Sequence, residues 1–375
     1  MSLSALAPLR RKIDRLDAAI LSLLNQRLRL VGQIGGIKGR YDLPFYDPTR
    51  EKKIFERLKK QNHGPLTDDA LRRIFGELFS AARNLIRPLK IAYLGPRWTF
   101  TEQAASRHFG SAPEYVPMST ISEIFAEVES GRVDYGVTPV ENSNEGVMTH
   151  TLDALLTSNL FIVAEESLRV RLAVLSRSAR LREIRDVYSH AHGLAQAAAW
   201  LARHIPQAVT HEVASTGAAA KLVSGKKRAA AIASETAAGA YDLKVLASGI
   251  ESSRQNLTRF LVLGKNISPK SGNDKTSLAF YLKDRVGVLN HVLQCFARHK
   301  INLTRIESRP AKGLRGLTGG STDRKPAGRS PFDYVFFVDF LGHMDDRPVR
   351  RALALVRSQC EELRLFGSFP CNSAL

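Results

Sequence analysis

The chain has 375 residues, 44% of them hydrophobic and 24% charged, which is an ordinary soluble composition with material for two to three domains. Its formal charge of +19 attracts anions, but the basic residues are spread over the whole length. No RNP aromatic pair or zinc finger accompanies them, so acidic small molecules are the expected partners rather than nucleic acid.

No apolar run approaches the ~20 residues of a membrane span, and residues 1–14 lack a signal-type apolar core. Cys295, Cys360 and Cys371 are too few and oddly numbered for a disulfide framework. No Cys/His group has metal-ligand spacing. These features predict a cytoplasmic protein with reduced thiols and no metal.

Residues 5–38 read as one long helix. Leu9, Ile13, Leu16, Ile20, Leu23, Leu30, Ile34 and Ile37 form an a/d-like seam along it. Arg27 and Lys38 fall within about 20° of one face and ~16 Å apart, whereas Arg10 lies ~25 Å from Arg27 and is rotated by about 100°. Arg10 can share a pocket with Arg27 only through a second copy of the chain. Asp47-Pro48 is an N-cap and first-turn pair for a second helix that runs to about residue 60. Thr67 caps a third, about 68–86. The first helix is too long for the other two to cover, which predicts a dimer.

From Leu89 the pattern alternates strand and helix, predicting parallel α/β layers with ligands at strand C-terminal ends. Thr99-x-x-Glu102 and Thr120-x-x-Glu123 are capping boxes. A strand over 133–139 should lead into a loop, Val140-Glu141-Asn142-Ser143-Asn144-Glu145-Gly146. Further on come Ser189-His190 to Gln196, then Ser215-Thr216, then Asn256-Leu257-Thr258-Arg259-Phe260. After a polar hinge (266–274), residues 275–367 predict the order βαββαβ. Inside that module lies a Gly/Ser/Arg/Lys-rich loop, 311–331.

The helical segment resembles the all-α class of chorismate mutases, through Leu9-Arg10-Arg11-Lys12-Ile13, Arg27, Lys38 and Asp47-Pro48-Thr49-Arg50-Glu51. The resemblance implies that Arg27, Lys38 and Arg50 meet the two carboxylates and ether oxygen of chorismate. Arg10 would arrive from the partner subunit, and Asp47 and Glu51 would meet the hydroxyl region. A Claisen rearrangement needs a compact conformer and cations aimed at developing charge, and this residue set suits that need. Members of the family usually carry Gln or Glu where this chain has Ile86, so one donor to the ether oxygen is missing.

The middle segment resembles prephenate dehydratase through five signatures in family order: Gly95-Pro96-x-x-Thr99-Phe100, Pro139-Val140-Glu141-Asn142-Ser143, Ser189-His190 to Gln196, Ser215-Thr216 and Asn256 to Phe260. The resemblance implies two α/β subdomains like a type II periplasmic binding protein, with the site between them. Thr258 would be the proton donor, beside Arg259 and Phe260. Thr99, Asn142, Ser143, Gln196, Ser215 and Thr216 would bind or orient prephenate, and Glu141 would be a second proton-handling group. The family usually has glycine where this chain has Trp98. If that turn needs φ > 0, tryptophan carries a steric cost.

The C-terminal module resembles a ferredoxin-like ACT domain. Asp284-Arg285-Val286-Gly287-Val288-Leu289 and Glu307-Ser308-Arg309-Pro310 correspond to its two phenylalanine-binding loops. The whole therefore reads as a multidomain, cofactor-free enzyme of phenylalanine biosynthesis: mutase at 1–87, dehydratase at 89–265, regulatory domain at 275–370. The competing reading is a sensing relic that binds prephenate or phenylalanine without turnover.

Overall fold

The computed structural model describes residues 6–41, 45–253, 255–282, 285–310 and 334–371. The basic loop 311–331 and Asp284 lie outside them.

Three helices open the chain: α1 (Leu6–Arg40), α2 (Pro48–Gln61) and α3 (Asp68–Ile86). Asp47 caps α2 by accepting from the Arg50 amide, and Thr67 caps α3 by accepting from Ala70. Phe79 and Ile86 on α3 meet α1 at Arg27 and Gly35. Gly35 is the only residue of α1 that is fully buried. The apolar seam, with Leu16 and Leu23 at 62% and 63% exposed, faces outward.

Two lobes follow. The first comprises β1 (Lys90–Leu94), α4 (Phe100–Phe109), β2 (Glu114–Met118), α5 (Ile121–Ser130), β3 (Tyr135–Asn142), β4 (Gly146–Val147), α6 (Thr149–Thr157) and β5 (Phe161–Arg169). The second comprises β6 (Ala173–Ser176), β7 (Asp186–Ser189), α7 (Ala191–His204), β8 (Val209–Glu212), α8 (Thr216–Val223), β9 (Ala229–Ala233), α9 (Thr236–Ala240) and β10 (Lys244–Ser248). The chain then returns to the first lobe as β11 (Leu257–Gly264). Both capping boxes form: Thr99 and Thr120 accept from the amides of Glu102 and Glu123, and Gly131 ends α5 in the left-handed conformation.

The sheets run β2-β1-β3-β11-β5 and β10-β6-β9-β7-β8. The expectation of purely parallel layers is corrected here. Each sheet carries an antiparallel strand inserted between parallel ones, β11 in the first and β6 in the second, and the short β4 also pairs antiparallel with β3 at the edge of the path. β11 and β6 each arrive directly from the other lobe, so each runs against its new neighbours. The two crossings lie side by side. Leu257 pairs with Arg169, and the Val170 amide donates to the Asn256 carbonyl at 2.8 Å. Strand β3 also runs further than expected, to Asn142, because β11 pairs with it through Thr258↔Asn142.

The last unit is β12 (Asp274–Tyr281), α10 (Val288–Arg298), β13 (Leu303–Pro310), β14 (Tyr334–Leu341), α11 (Arg347–Gln359) and β15 (Glu362–Pro370). Its antiparallel sheet has the order β13-β14-β12-β15, the ferredoxin-like arrangement. One face packs on α10 and α11 through Leu278, Phe280, Phe296 and Val356. The other buries Ala279, Tyr281, Phe337 and Phe366 against Val140, Leu152, Leu155 and Ile162 of the first lobe. The polar hinge before this unit is pinned near its start, at two adjacent residues. Ser268 donates to the Val163 carbonyl at 2.7 Å, and Thr49 of α2 donates to the Pro269 carbonyl at 2.6 Å.

Candidate active sites

The cleft between the lobes is built on the start of β11, where the chain re-enters the first lobe. Asn142 organises it. Its Oδ1 accepts from the amides of Asn144 and Glu145 at 2.9 and 3.2 Å, which fixes the orientation of the side chain because a backbone N–H can only donate. Its Nδ2 then donates to Thr258 Oγ1 at 2.7 Å and to Asn256 Oδ1 at 2.9 Å. The Thr258 hydroxyl receives a hydrogen bond on its oxygen, so its own proton is available to a ligand. Asn142 and Thr258 are 5% and 7% exposed, which shields that hydroxyl from bulk water.

The network continues across the cleft. Asn256 Nδ2 donates to Gln196 Oε1 at 2.7 Å, and Gln196 Nε2 donates to Glu145 at 3.3 Å. His192 Nδ1 lies 3.1 Å from the same carboxylate. Asn256 and Glu145 belong to this cluster although sequence reasoning had not singled them out. Asn256 opens the Asn256-to-Phe260 signature two residues before Thr258, and Glu145 follows Asn142 by three residues, which is the reach of the turn that Asn142 closes.

Three helix N-termini meet at the same seam. Thr99 caps α4, His190 caps α7 and Ser215 caps α8. A Cβ added at Gly217 would stand 2.6 Å from the Arg97 carbonyl and 3.5 Å from Thr99 Cγ2; one at Gly193 would stand 3.7 Å from Thr216 Cγ2. Amide N–H groups and dipole ends gathered in this way favour carboxylates. Trp98 has φ of 67°, so the turn does require the left-handed region. The indole is retained because it packs into the second lobe's core with Val213, Tyr188 and Tyr241.

Four expected cleft residues stand elsewhere. Side chains alternate along a strand, so Arg259 and its cross-strand partner Glu141 face away from Thr258 and Asn142. Arg259 Nε lies 2.8 Å from Glu165 and its Nη1 lies 2.6 Å from Asp339 of β14. Burial opposes the Arg259 charge, but the two carboxylates outweigh it and the guanidinium is held above its ordinary range. Phe260 is a core residue, 1% exposed among Ile91, Tyr93 and Val262. Ser143 is exposed and ties two loops: its hydroxyl donates to the Gln255 carbonyl and accepts from the Leu257 amide, both at 3.0 Å.

In the helical unit, Arg27 lies with its guanidinium 5.3 Å from the Phe79 ring, and its Nη1 is buried with no hydrogen-bond partner. Desolvation lowers its pKa, with Glu51 opposing. Glu51 is ion-paired with Arg83, whose Nη2 donates to the Phe109 carbonyl at 2.6 Å. Arg83 was missed by sequence reasoning, although it is a charge on the apolar face between Phe79 and Ile86. Lys38 lies 3.5 Å from the Phe45 carbonyl. Arg10 and Arg50 are exposed, and Asp47 is engaged in capping α2. Ile86 fills the α1–α3 seam, where a Cβ at Gly35 would meet its side chain at 2.8 Å.

In the ferredoxin-like unit, Gly287 starts α10 at φ 78°, a conformation that favours glycine. Val288 and Leu289 pack against the α10–α11 core. On β13, Glu307 and Arg309 alternate with the exposed Ser308 and Pro310. Arg309 does not point into an open loop pocket: its Nη1 lies 2.7 Å from Asp153 and 3.0 Å from the Thr149 carbonyl.

Comparison with known proteins agrees with this division. Family models for chorismate mutase type II, prephenate dehydratase and the ACT domain match residues 9–87, 91–268 and 276–354. The bifunctional chorismate mutase/prephenate dehydratase of Aquifex aeolicus (strain VF5) is 42% identical over 97% of this chain and 98% of its own. The chain belongs to the bifunctional chorismate mutase/prephenate dehydratase family. The Pseudomonas aeruginosa member is 38% identical over 97% of both chains. Among solved structures, a prephenate dehydratase from Arthrobacter aurescens in complex with L-Phe is 30% identical, with a TM-score of 0.66, covering 76% of this chain and 90% of its own. The family's two catalytic units and its ACT unit are thus all present, in that order.

Proposed function

We propose that the chain rearranges chorismate to prephenate in a unit spanning 1–87 and converts prephenate to phenylpyruvate in a unit spanning 89–265. Phenylalanine binding to the unit at 275–370 inhibits it. The observation that carries the dehydratase half is the Thr258 hydroxyl. Its oxygen is held by Asn142, no described residue accepts its proton, and its network reaches α7 through Asn256 and Gln196. Loss of CO2 and the ring hydroxyl from prephenate produces an aromatic ring, so the substrate supplies the driving force. The protein docks two carboxylates at the helix ends, excludes water and offers a donor to the leaving oxygen. Threonine is a weak acid; Thr258 acts by hydrogen bonding to an already labile group. Asn142, Asn256 and Gln196 hold it in place, and Glu145 with His192 is the proton-handling pair.

The mutase half rests on Arg27 Nη1, a buried donor without a partner, which a substrate carboxylate would satisfy. Lys38, Arg50 and Glu51 complete the set on one chain. A second copy supplies Arg10 and covers the exposed seam of α1, so the working form is a homodimer in the cytoplasm. Neither reaction calls for a metal or organic cofactor. Regulatory phenylalanine meets the loops at Gly287–Leu289 and Glu307–Pro310.

Two assays on the purified chain test this reading. One follows chorismate loss, and the other follows phenylpyruvate from prephenate with and without phenylalanine. Turnover in both, with the second suppressed by phenylalanine, is expected. Absence of phenylpyruvate would leave the sensing relic as the better account.

A further inference from the structure

Residues that face the cleft alternate with residues that face the ACT sheet. Thr258 and Asn142 are cross-strand partners on the cleft side, and Arg259 and Glu141 are cross-strand partners on the other side. Behind them lies a compact group of charges. Arg259 reaches Glu165 at 2.8 Å and Asp339 at 2.6 Å, and Lys275 reaches Glu165 at 2.6 Å. Arg305 Nε lies 3.4 Å from Glu141. Three carboxylates (Glu141, Glu165, Asp339) are thus balanced by three cations (Arg259, Lys275, Arg305). Asp339 and Arg305 are themselves cross-strand partners on β14 and β13.

This group is more than surface neutralisation. Asp339 is 1% exposed, and its charge would not survive burial without Arg259 and Arg305. The register between β11 and β3 shifts immediately after Arg259, while the ladder on its other side, to β5, stays in register through Arg259↔Ser167. A guanidinium gripped from two sides there sets the rotation of the strand and hence the aim of the preceding hydroxyl.

We propose that Asp339 and Arg305, carried by the ACT sheet, are positioning residues for the dehydratase reaction. Through Arg259 and Glu141 they hold Thr258 and Asn142 in productive register. The inference rests on Thr258 being the proton donor. Small misplacement of a catalytic group can lower rate by about 10²-fold without touching substrate affinity, because bound geometry rather than binding is altered. A shift of β13, which also carries Arg309 at Asp153, is felt at the cleft.

The test is steady-state kinetics on full-length Asp339→Asn, Asp339→Glu and Arg305→Gln, beside Thr258→Ala. Expected are a fall in prephenate kcat of about tenfold or more for D339N and about threefold for R305Q, with KM changed by less than about twofold. D339E should recover to within about threefold of the parent, and chorismate turnover should be unchanged in all three. If T258A retains dehydratase activity, the donor assignment fails. If T258A is inactive while D339N and R305Q keep kcat within twofold, the positioning role is overturned. Should D339N lose mutase activity too, and so be unfolded, R305Q alone decides on the same criterion.

Discussion

The helical unit and the two-lobed unit solve the same problem, holding a dianionic ring compound, in opposite ways. The dehydratase cleft is assembled within one chain. Asn142 at the end of β3 holds Thr258 on the returning strand, and Asn256 reaches across to Gln196 of the second lobe. The mutase unit leaves its longest helix with an apolar stripe in the open and Arg10 about 25 Å from Arg27. If a second copy closes the mutase site as proposed, that site depends on concentration, whereas a cleft closed by folding does not.

The sharpest test of that contrast is Thr258→Ala. Dehydratase turnover should fall by about 10²–10⁴-fold, the range of a lost acid–base group, while chorismate loss stays within about twofold. The reverse break is Leu16→Glu together with Ile20→Glu on the exposed face of α1. Sedimentation should show loss of the dimer, with mutase activity down by about 10²-fold and prephenate turnover retained, on the scale of a displaced catalytic group. Equal loss of both activities would erase the distinction between the sites.

Ile86→Gln probes the mutase chemistry itself. A restored donor to the ether oxygen should raise kcat/KM for chorismate about tenfold, less than the ~3 kcal/mol of an ideally placed donor because Ile86 also packs on Gly35; a gain under twofold would exclude the idea. Gly217→Ala is smaller in effect. The added methyl would meet the Arg97 carbonyl at 2.6 Å, so the turn must shift and prephenate KM should rise about threefold, with the mutase unaffected.

The mildest expectation concerns pH. Burial raises the Asp339 carboxyl, but Arg259 and Arg305 outweigh it and the net shift is downward. A depressed acid contributes stability above its unfolded pKa of about 3.9 and loses it as pH falls through the folded value. Thermal melts should therefore show a constant Asp339 contribution from about pH 5 to 8, lost only below about pH 4. In D339N the difference from the parent should shrink over that acid range.

Much of the architecture was legible in residues with local consequences. Caps at Asp47, Thr67, Thr99 and Thr120, the stop at Gly131 and the left-handed demand at Trp98 each depend on neighbours a few positions away. Strand direction was not, because β6 and β11 arrive from the opposite lobe and no local pattern records which sheet a strand will join. The roles of Arg259 and Glu141 could have been read better. Two adjacent residues in a strand cannot share a face, so a Thr-Arg pair already implied that one of them leaves the cleft. Arg83 and Glu145 were hidden for another reason: their partners are Phe109 and His192, set by packing between units and between lobes that sequence spacing does not encode.

Trp98 has one more consequence. It is one of two tryptophans in the chain; the other, Trp200, stacks on His204 within α7 at 4.3 Å. Trp98 leaves the first lobe and lodges in the second. The protein thus carries one intrinsic fluorophore in the contact between the lobes and a second on α7, about one turn beyond Gln196. Emission that changes with prephenate in the parent and not in Trp98→Phe would report cleft geometry directly, without an added label.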